Sequence, residues 1–167
     1  MLVKEIDIDR LLDYPKEGRA YMAGFFDGEG HVSIAKRGLI HTSRDKSTPM
    51  RPIYGLVAGM AQNKKEPLIL FHDLFGGTLR IDTRVRAQKH SKQVIYEWNI
   101  GGNIQVPRFL KWLRPYLLVK ASQVDIALEF VGANPNDMSE DVLQKFKDRM
   151  ISARSNDAET EYRKNIA

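Results

Sequence analysis

Apolar and polar residues alternate in two different rhythms along this chain, and each change of rhythm marks a change of element. Residues 16–26 place their apolar side chains at helical spacing, with Pro15 suited to the start and Gly28 and Gly30 expected to stop the helix. A short helix over 9–13 (Asp-Arg-Leu-Leu-Asp) is expected before Tyr14-Pro15. The period then shortens to two. Over 31–37, Val32 and Ile34 lie on one face of a strand, and Ser33, Ala35 and Arg37 on the other. A polar loop over 38–52, rich in Ser, Thr, Arg and Pro, leads to a second strand over 51–62 with Tyr54, Leu56, Ala58 and Met60 on one face.

The second half repeats this order. Leu68, Leu70, Phe71, Leu74 and Phe75 cluster at helical spacing over 66–75, and Gly76-Gly77 ends that helix. Residues 78–86 read as a strand with Leu79, Ile81 and Val85 on one face and Arg80, Asp82, Arg84 and Arg86 on the other. After a basic turn over 87–92, a fourth strand over 93–100 places Val94, Tyr96 and Trp98 inward. Helices are expected over 106–113, 121–131 and 139–152, the last two separated by Asn134-Pro135-Asn136-Asp137, with a polar tail, partly helical or frayed, after Ala153. The order α-β-β-α-β-β-α, with each strand apolar on one face, predicts an α+β fold. A curved antiparallel four-stranded sheet would be covered by helices on one face and open on the other. Ile126, Leu128, Phe130, Val142, Leu143, Phe146 and Met150 are core candidates, as are Trp98 and Trp112. No internal repeat is visible, and a length of 167 residues suits one domain: a core over about 16–131 with a helical extension over about 132–167.

Composition narrows the chemistry. An apolar fraction of 43% with 28% charged residues belongs to a globular chain, and the absence of Cys removes disulfides, thiolate zinc sites and thiol catalysis. Apolar runs such as 67–71 are too short for a bilayer, and the acids among residues 1–7 do not make a secretory signal. The expected location is intracellular: the cytoplasm of a prokaryote, or an organelle. A net charge of +5 points to a polyanionic partner without naming it.

The chemistry concentrates in Tyr21-Met22-Ala23-Gly24-Phe25-Phe26-Asp27-Gly28-Glu29-Gly30. Glycine in a helix costs about 1 kcal/mol relative to alanine. Gly24 and Gly28, four apart, therefore suggest a close approach by another backbone. An acid held between glycines at a helix end is suited to a hard cation, although Asp-Gly-Glu-Gly is also an ordinary acidic turn. An EF-hand loop begun at Asp27 fails, since its sixth position would be Val32 and its twelfth Gly38. A dinucleotide fingerprint fails because these glycines follow a helix instead of opening one.

The segment Ala23-Gly24-Phe25-Phe26-Asp27-Gly28-Glu29-Gly30, followed by a strand, resembles the LAGLIDADG motif of homing endonucleases, with Met22 where Leu is usual and Glu29 where Asp is commoner. The element order from 16 to 131 is similar to that family's core. Gln62, ending the second strand, resembles its active-site Gln, and Lys120, ending Leu113-Arg114-Pro115-Tyr116-Leu117-Leu118-Val119-Lys120, its active-site Lys. The resemblance implies a site-specific double-strand DNA endonuclease. Glu29 and the Gly28 carbonyl would bind Mg²⁺, with Mn²⁺ or Ca²⁺ as other divalent cations, and Gln62 and Lys120 would complete the catalytic set. One motif per chain implies a homodimer joined through Tyr21, Ala23, Gly24, Phe25 and Asp27, with Asp27 capping or supporting the helix interface, and hence a near-palindromic target.

Recognition is expected on the open sheet face. Strand parity selects Ser33, Arg37, Arg80, Asp82, Arg84, Arg86, Gln93, Glu97 and Asn99, while Lys36, Arg44 and Lys46 near the first hairpin suit the DNA backbone. A solvated sheet face is the alternative, as is an ordinary helix start for Lys64 and Lys65, where the family's neighbouring basic residue does not align cleanly. His31, close to Glu29, is more readily structural than a ligand. Relatives of the fold that act as RNA-splicing maturases or non-cutting DNA-binding regulators provide a second functional class. A partner intron RNA would fit the first of these, and intron homing the nuclease. A basic α+β ribonucleoprotein component is a third, but it leaves the Gly28-Glu29-Gly30 helix end unexplained.

Overall fold

The computed structural model describes residue 11 and residues 13–41, 50–81, 94–135 and 138–164, with 40–41, 51 and 155–164 as backbone only. Its elements are α1 (Lys16–Glu29), β1 (Gly30–His41), β2 (Met50–Gln62), α2 (Glu66–Phe75), β3 (Thr78–Ile81), β4 (Tyr96–Gly101), α3 (Gln105–Leu113), a 3-10 turn (Arg114–Tyr116), α4 (Ala121–Gly132) and α5 (Glu140–Lys164). The strands form one antiparallel sheet in the order β1-β2-β4-β3. The expected α+β architecture is therefore observed. Little of the short helix expected over 9–13 lies within the described residues: Leu11 is helical and Asp13 lies in a turn.

Three boundaries differ from the sequence expectation: the ends of α1 and α5, and the end of β1, which runs to His41 paired with Met50 where a loop over 38–52 was expected. α1 does not stop before Gly28 but runs to Glu29, because the Gly30 N–H still bonds back to Phe26 O. Gly30 is then extended (φ −78°, ψ 163°), so the helix passes into β1 without a loop. α5 continues to Lys164, so the tail after Ala153, expected to be partly helical or frayed, is helical that far. Val142, expected in the core, is 39% exposed on the outer side of α5, and Ile81, expected inward, is 40% exposed at the end of an edge strand.

The covered face of the sheet supplies the core. Val32, Leu56, Ala58, Met60 and Trp98 are fully buried, matching the even parity read from sequence. Helices bring aromatic rings to this face: Trp98 lies 5.3 Å from Phe71 and 5.4 Å from Phe109, and Phe75 lies 4.8 Å from Phe109, most of them edge-on or tilted. Such ring pairs add about 0.5–1.5 kcal/mol beyond the area they bury. The Trp98 indole N–H donates to Gly76 O at 2.8 Å, so its one polar atom is satisfied inside. Gly76 and Gly77 hold φ of 68° and 85°, which turns α2 into β3 at no steric cost.

A second, smaller packing site joins α4 and α5. Phe130 and Phe146 meet edge-on at 5.6 Å, beside buried Leu143 and Met150. Arg149 grips Glu129 through two bonds of 2.6 and 2.8 Å, and Lys147 stands over the Tyr54 ring at 4.5 Å. This fastens the C-terminal helix beneath β1 and β2. Among the described residues, no helix is long and apolar enough to cross a membrane.

Candidate nucleic-acid interface and cut site

Helix α1 has two unlike faces. Met22, Ala23, Phe26 and Asp27 are buried in the protomer, whereas Tyr21 is 55% exposed and Gly24 and Gly28 have nothing within 4 Å of where a Cβ would stand. The face expected to join two protomers is thereby corrected. Tyr21, Gly24 and half-buried Phe25 remain on the outside, but Ala23 and Asp27 turn inward. The reason is helical spacing, since Ala23 and Asp27, four apart, follow Met22 and Phe26 onto the core side.

Asp27 has a structural task that sequence reasoning did not find. Its carboxylate accepts the backbone N–H groups of Leu118 (2.7 Å), Val119 (3.3 Å) and Lys120 (2.9 Å). In return the Lys120 ammonium donates to the Asp27 carbonyl at the C-terminal end of α1. A buried carboxylate needs such partners, because an unpaired one costs several kcal/mol. This clasp holds the loop after the 3-10 turn against the helix end. Lys120, ninety-odd positions from the motif, is thus placed beside Glu29, the exposed last residue of α1. Burial lowers the Lys120 pKa, Asp27 and Glu29 oppose that shift, and Arg154 adds to it.

Gln62 arrives from β2. Gly30 pairs with Met60 across the two strands, so the end of β2 lies at the same sheet end as Glu29. Gln62 is half-buried, and its side-chain carbonyl accepts the Asn63 N–H at 3.3 Å. The sequence-assigned Glu29, Gln62 and Lys120 therefore share one end of the sheet. His31 stands next to them, opposite Gly59. Burial holds its imidazole below the ordinary value; Arg154 and Lys120 push in the same direction, and Glu97 opposes.

The donor set suits a hard divalent cation only in part. Glu29 offers one exposed carboxylate, and the last turn of a helix leaves carbonyl oxygens without intrahelical partners, which fits Gly28. Among the described residues no cluster of three acidic or imidazole ligands exists. A cation here would need further oxygens from a bound phosphate and from water, which is an ordinary arrangement for Mg²⁺.

The open sheet face carries small and polar residues. Ser33 pairs with Val57, and Val57 with Gly101; Gly59 pairs with His31 and Asn99. Exposed Arg37, at the β-bulge of β1, lies across Gly55 and Gly101: a Cβ on Gly101 would stand 2.6 Å from its guanidinium. A Cβ on Gly59 would collide with the Asn99 amide and, at 2.6 Å, with Trp98 O. Arg80 and Glu97, opposite one another across β3 and β4, are ion-paired at 2.8 Å. Lys36 is exposed. Asp82, Arg84, Arg86, Gln93, Arg44 and Lys46 lie outside the described residues. Arg154 was not foreseen: it comes from a helix read as tail, and only the long-range packing of α5 reveals its place at β1.

This architecture, an antiparallel sheet with one open face and a glycine-faced helix ending in an acid, is found in known proteins. The chain has the fold of the LAGLIDADG homing endonucleases. It is similar to the homing endonuclease I-CvuI, solved on the I-CreI target with Mg and uncleaved DNA, at 20% identity over 83% of this chain and 82% of that one (TM-score 0.56). It is also similar to the group I intron-encoded I-CeuI bound to DNA, at 19% identity over 81% and 67% (TM-score 0.56). The archaeal intron-encoded I-Vdi141I on DNA shares 17% over 86% and 83% (TM-score 0.50). No family model and no curated protein matches the chain.

Proposed function

We propose that this protein is a site-specific, double-strand DNA endonuclease that works as a homodimer with a divalent cation, Mg²⁺ in the cell. The observation that carries the reading is the clasp at the end of α1. Asp27 and the loop over 117–120 bring a buried Lys120 beside an exposed Glu29, at the rim of a sheet face that no helix covers among the described residues. The three solved structures described above share this fold, and each is a homing endonuclease on DNA.

Glu29 and the Gly28 carbonyl would hold the cation, with phosphate and water completing its shell. The cation supplies Lewis-acid stabilisation of the scissile phosphate and lowers the pKa of nearby water. Lys120, fixed by its bond to the Asp27 carbonyl, places a positive charge where the phosphate gains negative charge on attack. Burial lowers its pKa without removing the acids that favour its charged form. Gln62, at the end of β2, is positioned to orient a water by its amide. Recognition uses the open face: Ser33, Arg37, Arg80, Glu97 and Asn99 present donors and acceptors to base edges in the major groove, with Lys36 on the phosphate backbone. The exposed glycines Gly24 and Gly28 let a second α1 approach closely. A two-fold dimer would set two Glu29 residues on two strands and prefer a near-palindromic site. An intracellular location follows from such a substrate. A splicing maturase or regulator that no longer cuts would have no need of Glu29 at the cleft rim, and its retention favours the nuclease.

The test is incubation of the protein with a randomised duplex library and Mg²⁺, followed by sequencing of the cut ends. Recovery of one near-palindromic target cut on both strands is the expected result. Stable binding with no cut ends in Mg²⁺ or Mn²⁺ would overturn the nuclease reading in favour of a binding protein.

A further inference from the structure

The C-terminal helix does more than cover the sheet. Two contacts fix its course along β1. Lys147 stands over Tyr54, whose cross-strand partner is Lys36, and the Arg154 guanidinium donates to Val32 O at 2.7 Å. From Lys147 to Arg154 the helix advances about 10 Å. From Lys36 to Val32 the strand covers about 13 Å in the same direction. α5 therefore runs antiparallel to β1 toward the end of the sheet where α1 hands over to β1. Ala153 and Met150, buried at 8% and 3%, hold this part of the helix against the core.

β1 is an edge strand, so the outward carbonyls of one side have no strand partner. Val32 O is one of them, and Arg154 satisfies it from the helix side of the sheet. That single bond uses one of five guanidinium donors. Arg154 is exposed, and among the described residues no carboxylate is paired with it. Its charge reaches His31, the residue before Val32 on β1, and α1 ends two positions before His31, at Glu29. Its charge also reaches Lys120 from across the cleft rim. An arginine anchored to backbone at one corner, paired with no carboxylate among the described residues and near a cation-and-carboxylate site, has the geometry of a phosphate receptor, where its remaining fork can donate to two oxygens at once.

We propose that Arg154 is a phosphate-binding residue of the cut site, reaching round the free edge of β1 to hold the DNA strand that lies against Glu29 and Lys120. This rests on the endonuclease reading. The rival role is structural only: a lid on the edge carbonyl of Val32.

The experiment compares wild type with Arg154→Met and Arg154→Lys on the duplex that wild type cuts or, if none is cut, on a mixed-sequence duplex. Affinity in Ca²⁺ is measured over a series of salt concentrations, together with thermal midpoints. In a dimer, loss of one phosphate contact per protomer should shrink the slope of log affinity against log salt by roughly 2 in Arg154→Met. Arg154→Lys, which keeps the charge, should restore most of that slope with weaker binding and slower cutting. A slope unchanged in Arg154→Met, with only a lowered thermal midpoint, would leave Arg154 as edge cover and overturn the proposal while the nuclease reading stands. Wild type that binds no duplex at all would overturn both.

Discussion

The two faces of the sheet are built to different rules. On the covered face, Leu56, Ala58, Met60, Trp98 and Ile100 are buried against aromatic helices, and each side chain is held by the volume around it. On the open face, Gly55, Gly59 and Gly101 have no side chain, and longer residues from neighbouring positions lie over them: Arg37, Asn99 and His31. Packing selects residues on the first face. On the second, side chains lie over glycines toward solvent, so the residues there answer to whatever the face contacts. Helix α1 shows the same division, with Phe26 and Asp27 inward and Gly24 and Gly28 bare.

Removing a core ring should have the largest effect. Trp98→Ala leaves a cavity beneath Phe71 and Phe109 and strands Gly76 O, and should cost about 3–5 kcal/mol in denaturant unfolding. A cost below ~1 kcal/mol would mean that the aromatic cluster is not the centre of stability. Next comes Gly24→Leu. Nothing lies within 4 Å of that position inside the protomer, so the fold should persist. Self-association, read by sedimentation, should weaken at least tenfold, about 1.4 kcal/mol. A dimer of undiminished strength would place the interface elsewhere.

Smaller still is the expected stability change in Arg37→Ala, within about 0.5 kcal/mol, because the side chain only lies across glycines on the solvent side. The same substitution should lower duplex affinity and its salt dependence, so stability and binding separate on this face as they do not on the other. Unchanged affinity would return Arg37 to a merely solvated face. The smallest effect concerns the surface forks. Bonds from Arg114 lower the Asp125 pKa, so the folded state holds the carboxylate ionised more readily than the unfolded state does. That stabilisation is present above the ordinary carboxylate value and is lost as pH falls through the depressed folded one. Asp125→Asn should therefore lower the thermal midpoint slightly at neutral pH, and the difference should vanish in acid.

Much of the fold was legible because it depends on short-range rules. The alternation Tyr54-Leu56-Ala58-Met60 and the helical cluster ending at Gly76-Gly77 are local patterns, and the structure reproduces both. The end of α1 was misread because Gly28 is a helix breaker in isolation, yet the bond from Gly30 N to Phe26 O carries the helix past it. In the site, Glu29 was visible from its glycine-flanked motif. Lys120 was visible only through resemblance to a known pattern. What fixes it, the Asp27 carboxylate on three backbone N–H groups, leaves no trace in spacing. Arg154 had no local signal at all, since its position follows from Met150 and Ala153 docking far along the chain.

The central claim is that Glu29 serves cutting and not folding or binding. It is tested most directly by Glu29→Gln on the duplex recovered from the library, with cutting measured in Mg²⁺ and affinity in Ca²⁺. Glu29 is exposed at the helix end, so Glu29→Gln should melt with wild type and bind the duplex at least as well, one negative charge having left the phosphate-facing site. Its cutting rate should fall by at least about a thousandfold, the scale of losing an essential electrostatic group. Cutting at the wild-type rate by Glu29→Gln would contradict the account at its root.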